Sequence, residues 1–176
     1  MATPREPVSE ERIDIYDLPV IPWRRAREGL EGAAGEQTNH VLSTVDVHGN
    51  PHAVPVGAIW LDDSYFVVAG AGTKKARNLA HNPRCVITVS LTGLDLVVEG
   101  AAAKVTDDAT LRRAAAAYND QGWSPTVQDG AFVAEYSAPS AGPPPWDLYR
   151  MTPATVFGVL TAEPGGATRW HFEAAS

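Results

Sequence analysis

The chain of 176 residues carries 14 Lys and Arg against 21 Asp and Glu, a formal charge of −7, and its length suits one domain that buries a core without cross-links. Such a balance argues against nucleic-acid binding, which needs a broad basic surface to displace counterions. The single cysteine, Cys85, excludes an intrachain disulfide and a CxxC redox or zinc pair; within the apolar run CVITVSL it reads as a small buried hydrophobe.

Taken in order, MATPREPVSEERIDIYDLP is charged and lacks the continuous apolar stretch of a secretory signal, and no later stretch is long and apolar enough to span a bilayer. The expected setting is cytoplasmic, with no membrane partner. Residues 1–20 read as an extended N-terminal arm and residues 21–176 as a single domain. IPWRRAREGLEGAAG opens that domain with an amphipathic helix. HVLSTVDV and HAVPVGAIWL then form an antiparallel hairpin about the turn HGNP, and Asp62, Asp63 and Ser64 turn the chain into SYFVVAGA.

Thr73 follows as a candidate N-cap and Pro83 ends the helix that it starts. This segment, TKKARNL, holds two of the three lysines of the chain, beside helix amides that lack intrahelical partners. A helix start of that kind attracts phosphate; the plainer alternative is a solvated polar face. On a helical wheel Ala76, Leu79 and Ala80 share the inner side, Lys74, Arg77, Asn78 and His81 the outer side, and Lys75 the flank.

CVITVSLT and LDLVVEGAAAKVT are two further strands joined at Gly93, after which Asp107 caps the alanine-rich helix DATLRRAAAAYND and Gly122 closes it. Trp123 to Trp146 is a long irregular excursion ending in GPPPW. Trp146 is either the anchor of that loop or a wall of a substrate pocket. The strands DLYRM and ATVFGVL, a turn at Pro164, Gly165 and Gly166, and ATRWHF complete the chain. Short strands joined as hairpins, with few helices between them and no GxGxxG turn, predict a mainly β protein: an antiparallel barrel of Greek-key type with peripheral helices rather than a dinucleotide-binding α/β fold.

The ordered set TVDVHGNPHAVPVGAIW, TKKARNLAHNPRCVITV, DLVVEG, PPPWDLY and TRWHF resembles the pyridoxamine-phosphate-oxidase-like split β-barrels, in particular their actinobacterial branch that uses flavin or the deazaflavin F420. The resemblance spans residues 20 to 173 and implies a homodimer with two cofactors in clefts between subunits. It implies further that Thr73, Lys74, Lys75, Arg77 and Asn78 hold the cofactor phosphate, that Val54, Pro55 and Val56 support the ring, and that Ser43, Thr44 and Val45 form the neighbouring strand of the cleft. Trp170 would approach the cleft from the partner subunit, or else pack on its own barrel. The oxidases that act on vitamin B6 end in an Arg-x-Arg-Leu element; Thr168, Arg169, Trp170, His171 and Phe172 stand here instead, so that substrate is not expected.

The expected activity is hydride transfer between reduced F420 and a small unsaturated organic acceptor, with an FMN-dependent oxidase or reductase as the alternative enzyme. Orientation beside a reactive cofactor supplies much of such a rate, and no residue is singled out as a catalytic acid or base. Adjacent carboxylates at Asp62 and Asp63, or Asp107 and Asp108, read as turn and cap residues. Arg24, Arg25 and Arg27 could meet the polyglutamate tail of F420 or form a paired helix face. A non-catalytic flavin or haem storage protein is the rival of another class, resting on His40, His48, His52, His81 and His171; their spacing fits no metal site, and none is assigned.

Overall fold

The computed structural model describes residues 4–33 and 38–173. Residues 34 and 35 of the expected opening segment lie outside them. Among the described residues, the first strand β1 (Ser9–Arg12) is followed by helix α1 (Trp23–Gly32), and then come β2 (His40–Val45), β3 (Pro51–Val56), β4 (Ala58–Leu61) and β5 (Ser64–Gly70). Helix α2 (Lys74–His81), strands β6 (Arg84–Leu91) and β7 (Leu94–Lys104), and helix α3 (Asp108–Asp120) make up the middle. Two three-residue strands, β8 (Thr126–Gln128) and β9 (Ala131–Val133), and a 3-10 turn at Pro139–Ala141 precede the long β10 (Trp146–Leu160) and the final β11 (Ala167–His171).

The result is the expected split β-barrel with peripheral helices. Its strands run in the order β1-β11-β10-β7-β6-β2-β3, and every pairing is antiparallel. Closure comes from β10, which is long enough to serve two partners in succession. Trp146 to Met151 pair with β5, while Thr155 to Val159 pair with β11, and β7 runs along the opposite edge. DLYRM and ATVFGVL are therefore one strand rather than two, with a register shift between Pro153 and Thr155 absorbing the proline that cannot donate to the ladder.

HAVPVGAIWL divides the other way. Its first half is β3, bonded to β2, and its second half is β4, bonded to β5, with Gly57 at the break. Ser9–Arg12 pairs with β11, so part of the N-terminal arm extends the sheet.

Two buried clusters share β5, whose residues are buried on both faces. Tyr65, Val67 and Ala69 point into the barrel with Ile87, Leu96 and Val98. Phe66 and Val68 point out against Leu111, Ala114 and Tyr118 of α3. Helix α1 buries Trp23, Ala26 and Leu30, a spacing that sets one face inward, and Trp23 lies edge-on to Trp170. Among the described residues no helix is long and apolar enough to cross a membrane.

Candidate functional site at the start of the second helix

Thr73 occupies the N-cap of α2 as expected. Its hydroxyl oxygen accepts from the Ala76 amide at 3.3 Å and donates to the Gly70 carbonyl at 2.8 Å, tying the helix start to the end of β5. The Arg77 amide is satisfied by the Thr73 carbonyl at 3.1 Å, which leaves the amides of Lys74 and Lys75 at the open end.

The helix does not face the way its wheel suggests. Lys75 and Asn78 are buried, at 2% and 5% exposure, and Ala80 is exposed. Each buried polar residue has a specific partner that overrides its hydropathy. The Asn78 amide donates to the Thr44 hydroxyl at 2.9 Å, fastening α2 to β2. The Lys75 ammonium donates to the Ser140 carbonyl, and burial lowers its pKa. The Ser140 hydroxyl in turn donates to the Pro55 carbonyl at 2.8 Å. Helix α2, the 3-10 turn and the edge strand β3 are thus joined in sequence.

Lys74 and Arg77 are exposed. Lys74 lies 3.8 Å from an oxygen of Asp46, whose other oxygen closes the β2–β3 turn by accepting from the amides of His48 and Asn50 at 3.0 and 2.9 Å. The Asn50 amide, then the others and Lys74, hold the Asp46 carboxyl below its ordinary pKa, against some desolvation. Arg77 folds back so that its guanidinium donates to the Gly72 carbonyl. Three cations therefore meet one carboxylate; the partners of Lys75 and Arg77 are carbonyl oxygens that neutralise no charge. With two open amides and the positive end of the helix added, the cluster is suited to an anion.

The cleft residues divide. Thr44 and Pro55 adjoin the cationic cluster through the bonds just described, and Val56 lines the cavity described next, whose lining includes Ser140, the partner of Lys75. Val54 is half-buried on β3 opposite Leu42. Ser43, Thr44 and Val45 together line a groove of about 590 Å³ across β2, β6 and β7 that also reaches Cys85, and Thr44 links it to α2 through Asn78; Cys85 is buried, and desolvation pushes its thiol up to about 12. Trp170 is fully buried, 0% exposed, beside Trp23 and against Gly158. It packs on its own barrel, and as placed it offers no surface to a ligand held by a second copy.

Trp146 is the anchor of its loop: it is buried, donates to the Gly142 carbonyl at 2.8 Å, and lies edge-on to Trp123 at 5.8 Å. Gly70 accepts the same loop, since a Cβ there would stand 2.9 Å from the Pro143 carbonyl oxygen. Beside this contact a cavity of about 340 Å³ opens beneath the 3-10 turn, between Val56 and Gly57 on one side and Tyr118, Gln121, Trp123 and Tyr136 on the other. Sequence reasoning missed these last four as site residues. Trp123 and Tyr136 lie in the excursion after Gly122, whose aromatic content carried no periodicity to place it, while Tyr118 and Gln121 belong to the end of α3.

Arg27 is paired with Glu6, and Arg24 lies 3.9 Å from Glu28, which gives that face the paired character foreseen as one alternative. Among the described residues no three His, Cys, Asp or Glu side chains gather as a metal site.

A family model for pyridoxamine 5'-phosphate oxidase matches residues 27–160. A search of curated proteins finds no match. Among solved structures the fold is similar to a pyridoxamine 5'-phosphate oxidase-related, FMN-binding protein from Nostoc punctiforme, at 18% identity over 88% of this chain and 93% of that one, with a TM-score of 0.57. It is similar to PhzG from Burkholderia lata in complex with tetrahydrophenazine-1-carboxylic acid, at 14% identity over 91% of both chains and a TM-score of 0.57. A protein named F420 reductase matches at 17% identity over 73% of this chain and 96% of its own, with a TM-score of 0.51. At these identities the structural likeness is one of fold, and the sequence match over most of the chain carries the assignment: this protein belongs to the pyridoxamine 5'-phosphate oxidase family.

Proposed function

We propose that the protein is an F420-dependent oxidoreductase, active in the cytoplasm as a homodimer, that reduces a small unsaturated organic acceptor. The observation that carries this reading is the excess of cation at the open end of α2, bonded through Thr44 and Ser140 to the two strands beside it. Family membership and the likeness to a protein named F420 reductase support it.

The donor set fits a phosphorylated tricyclic cofactor. Lys74, Lys75, Arg77 and the first amides of α2 would hold the phosphate by charge-assisted hydrogen bonds. Lys75 would exchange the Ser140 carbonyl for a phosphate oxygen. Val54, Pro55 and Val56 would support the ring along an edge strand where Pro55 presents no amide. When bound, the cofactor supplies the hydride; the chain binds, orients and keeps water away, and water delivers the accompanying proton.

An FMN-dependent enzyme is the second reading, favoured by the likeness to an FMN-binding protein. Titration of the purified apo-protein with F420 and with FMN separates the two. Preferential F420 binding is expected; FMN binding with no F420 signal removes the deazaflavin assignment, and binding of neither removes both. Light scattering should report a dimer, and a monomer that still binds cofactor would remove the shared cleft.

A further inference from the structure

The 3-10 turn at Pro139–Ala141 lies over the start of α2 and over the cavity at once. On the helix side, a Cβ at Gly142 would stand 2.8 Å from the Thr73 methyl, and one at Gly70 would stand 3.0 Å from the Ala141 carbonyl oxygen. The turn therefore rests on the two residues whose own bond, at 2.8 Å, sets the N-cap. On the other side Ser137, Ala138, Ser140 and Ala141 roof the cavity. Both flanks are fixed: the Tyr136 carbonyl accepts from the Trp123 indole at 2.6 Å, and the Gly142 carbonyl from the Trp146 indole at 2.8 Å. Between these posts, among the described residues, Ser140 alone joins the turn by hydrogen bonds to α2 and β3, through its carbonyl to Lys75 and its hydroxyl to Pro55.

We propose that Lys75 is a latch: in the free protein its ammonium holds the turn down, and an anion bound at the start of α2 draws it from the Ser140 carbonyl and frees the turn, so that access to the cavity follows occupation of the phosphate site. This rests on the reading that the cofactor phosphate binds there. The two acceptors are unequal. Lys75 is 2% exposed and its partner is a neutral carbonyl, whereas a phosphate oxygen is itself charged and forms a bond about twice as strong. A buried ammonium without a counter-charge gains most from that exchange. Once released, the turn keeps the Ser140 hydroxyl bond to Pro55 and the burial of Ala141, so it loosens between its posts without unfolding. The coupling is reciprocal: whatever clamps the turn shut weakens the anion by the same factor, and the loss of one hydrogen bond sets that factor at about tenfold.

Hydrogen exchange read by mass spectrometry on the full chain tests the latch. The Ala141 amide, which donates to the Ala138 carbonyl at 2.8 Å, reports the turn. With inorganic phosphate bound, and again with whichever of F420 and FMN the protein binds, exchange over residues 138–142 should quicken about tenfold. Lys75→Met should show the quick rate without ligand and no further change at saturating cofactor. Ser140→Ala, which keeps the carbonyl, should keep the response to phosphate. Slower exchange with phosphate bound would mean that Lys75 bridges both acceptors, and would overturn the latch; so would an unmoved turn, the parent's rate in free Lys75→Met, or loss of the response in Ser140→Ala. Calorimetry on the same samples separates the two readings: binding without release removes the latch alone, while no binding of phosphate or of either cofactor removes the site and the release with it.

Discussion

Replacing Lys75 by Met separates the two roles that the buried ammonium plays, because the two consequences have opposite signs. Lys75 is 2% exposed with the Ser140 carbonyl as its partner, and no carboxylate is paired with it among the described residues. In the free protein an uncompensated charge held away from water is a liability, and Met matches its length without the charge. Stability of Lys75→Met should therefore equal the parent within about 1 kcal/mol or exceed it. Toward the phosphate the substitution removes one charge-assisted hydrogen bond, worth about 1.5–3 kcal/mol, so cofactor affinity should fall about 10- to 100-fold. Burial depresses the Lys75 pKa below its ordinary 10.5. Between the folded and unfolded values the unfolded chain binds more protons, so the parent gains stability relative to Lys75→Met as pH rises toward 10.5. Urea denaturation across pH, with cofactor titration at pH 7, reads both effects. Unchanged affinity would show that the phosphate binds elsewhere; a loss of several kcal/mol in the free protein would show that the Ser140 contact, and not ligand binding, explains the lysine.

Burial lowers the His40 pKa below 6.5, partly offset by a hydrogen bond with the Thr38 backbone. Its contribution is intact above pH 6.5 and is lost as pH falls from there through the folded value, so the acid limb of the stability curve should be shallower in His40→Phe, as thermal melts between pH 4 and 7 would show. In Gly158→Ala the new methyl would stand 2.6 Å from the Trp170 ring. A cost of about 1–3 kcal/mol is expected in chemical denaturation, and no cost would mean that Trp170 is free to move. Asn78→Ala and Thr44→Val should each destabilise by about 1–3 kcal/mol, while a double-mutant cycle returns coupling of about 1 kcal/mol for their 2.9 Å bond; additive effects would mean that the bond is absent in solution.

The hairpins β2–β3 and β6–β7 were legible in the sequence because alternation and turn residues are local signals, and so were the caps Thr73 and Asp107. Strand β1 was not. All four of its residues are exposed, so no apolar period marks it, and only pairing with a strand more than 150 positions away defines it. Gly57 and Pro153 misled in opposite directions: the first ends a strand inside an apparently continuous run, while the second sits within a strand whose register shift tolerates it. In the site, composition found the cations, but the inward turn of Lys75 and Asn78 depends on Ser140 and Thr44, which lie 65 and 34 positions away. Local periodicity carries no information about partners at such separations.

Strand β10 imposes an order on biosynthesis. While a ribosome is still adding residues before Trp146, β5 and β7 each hold an open flank that only this late segment will occupy. The nascent chain must keep two apolar ribbons from joining strangers until Trp146–Leu160 emerges, a hazard set by topology and untouched by anything that strengthens the finished barrel.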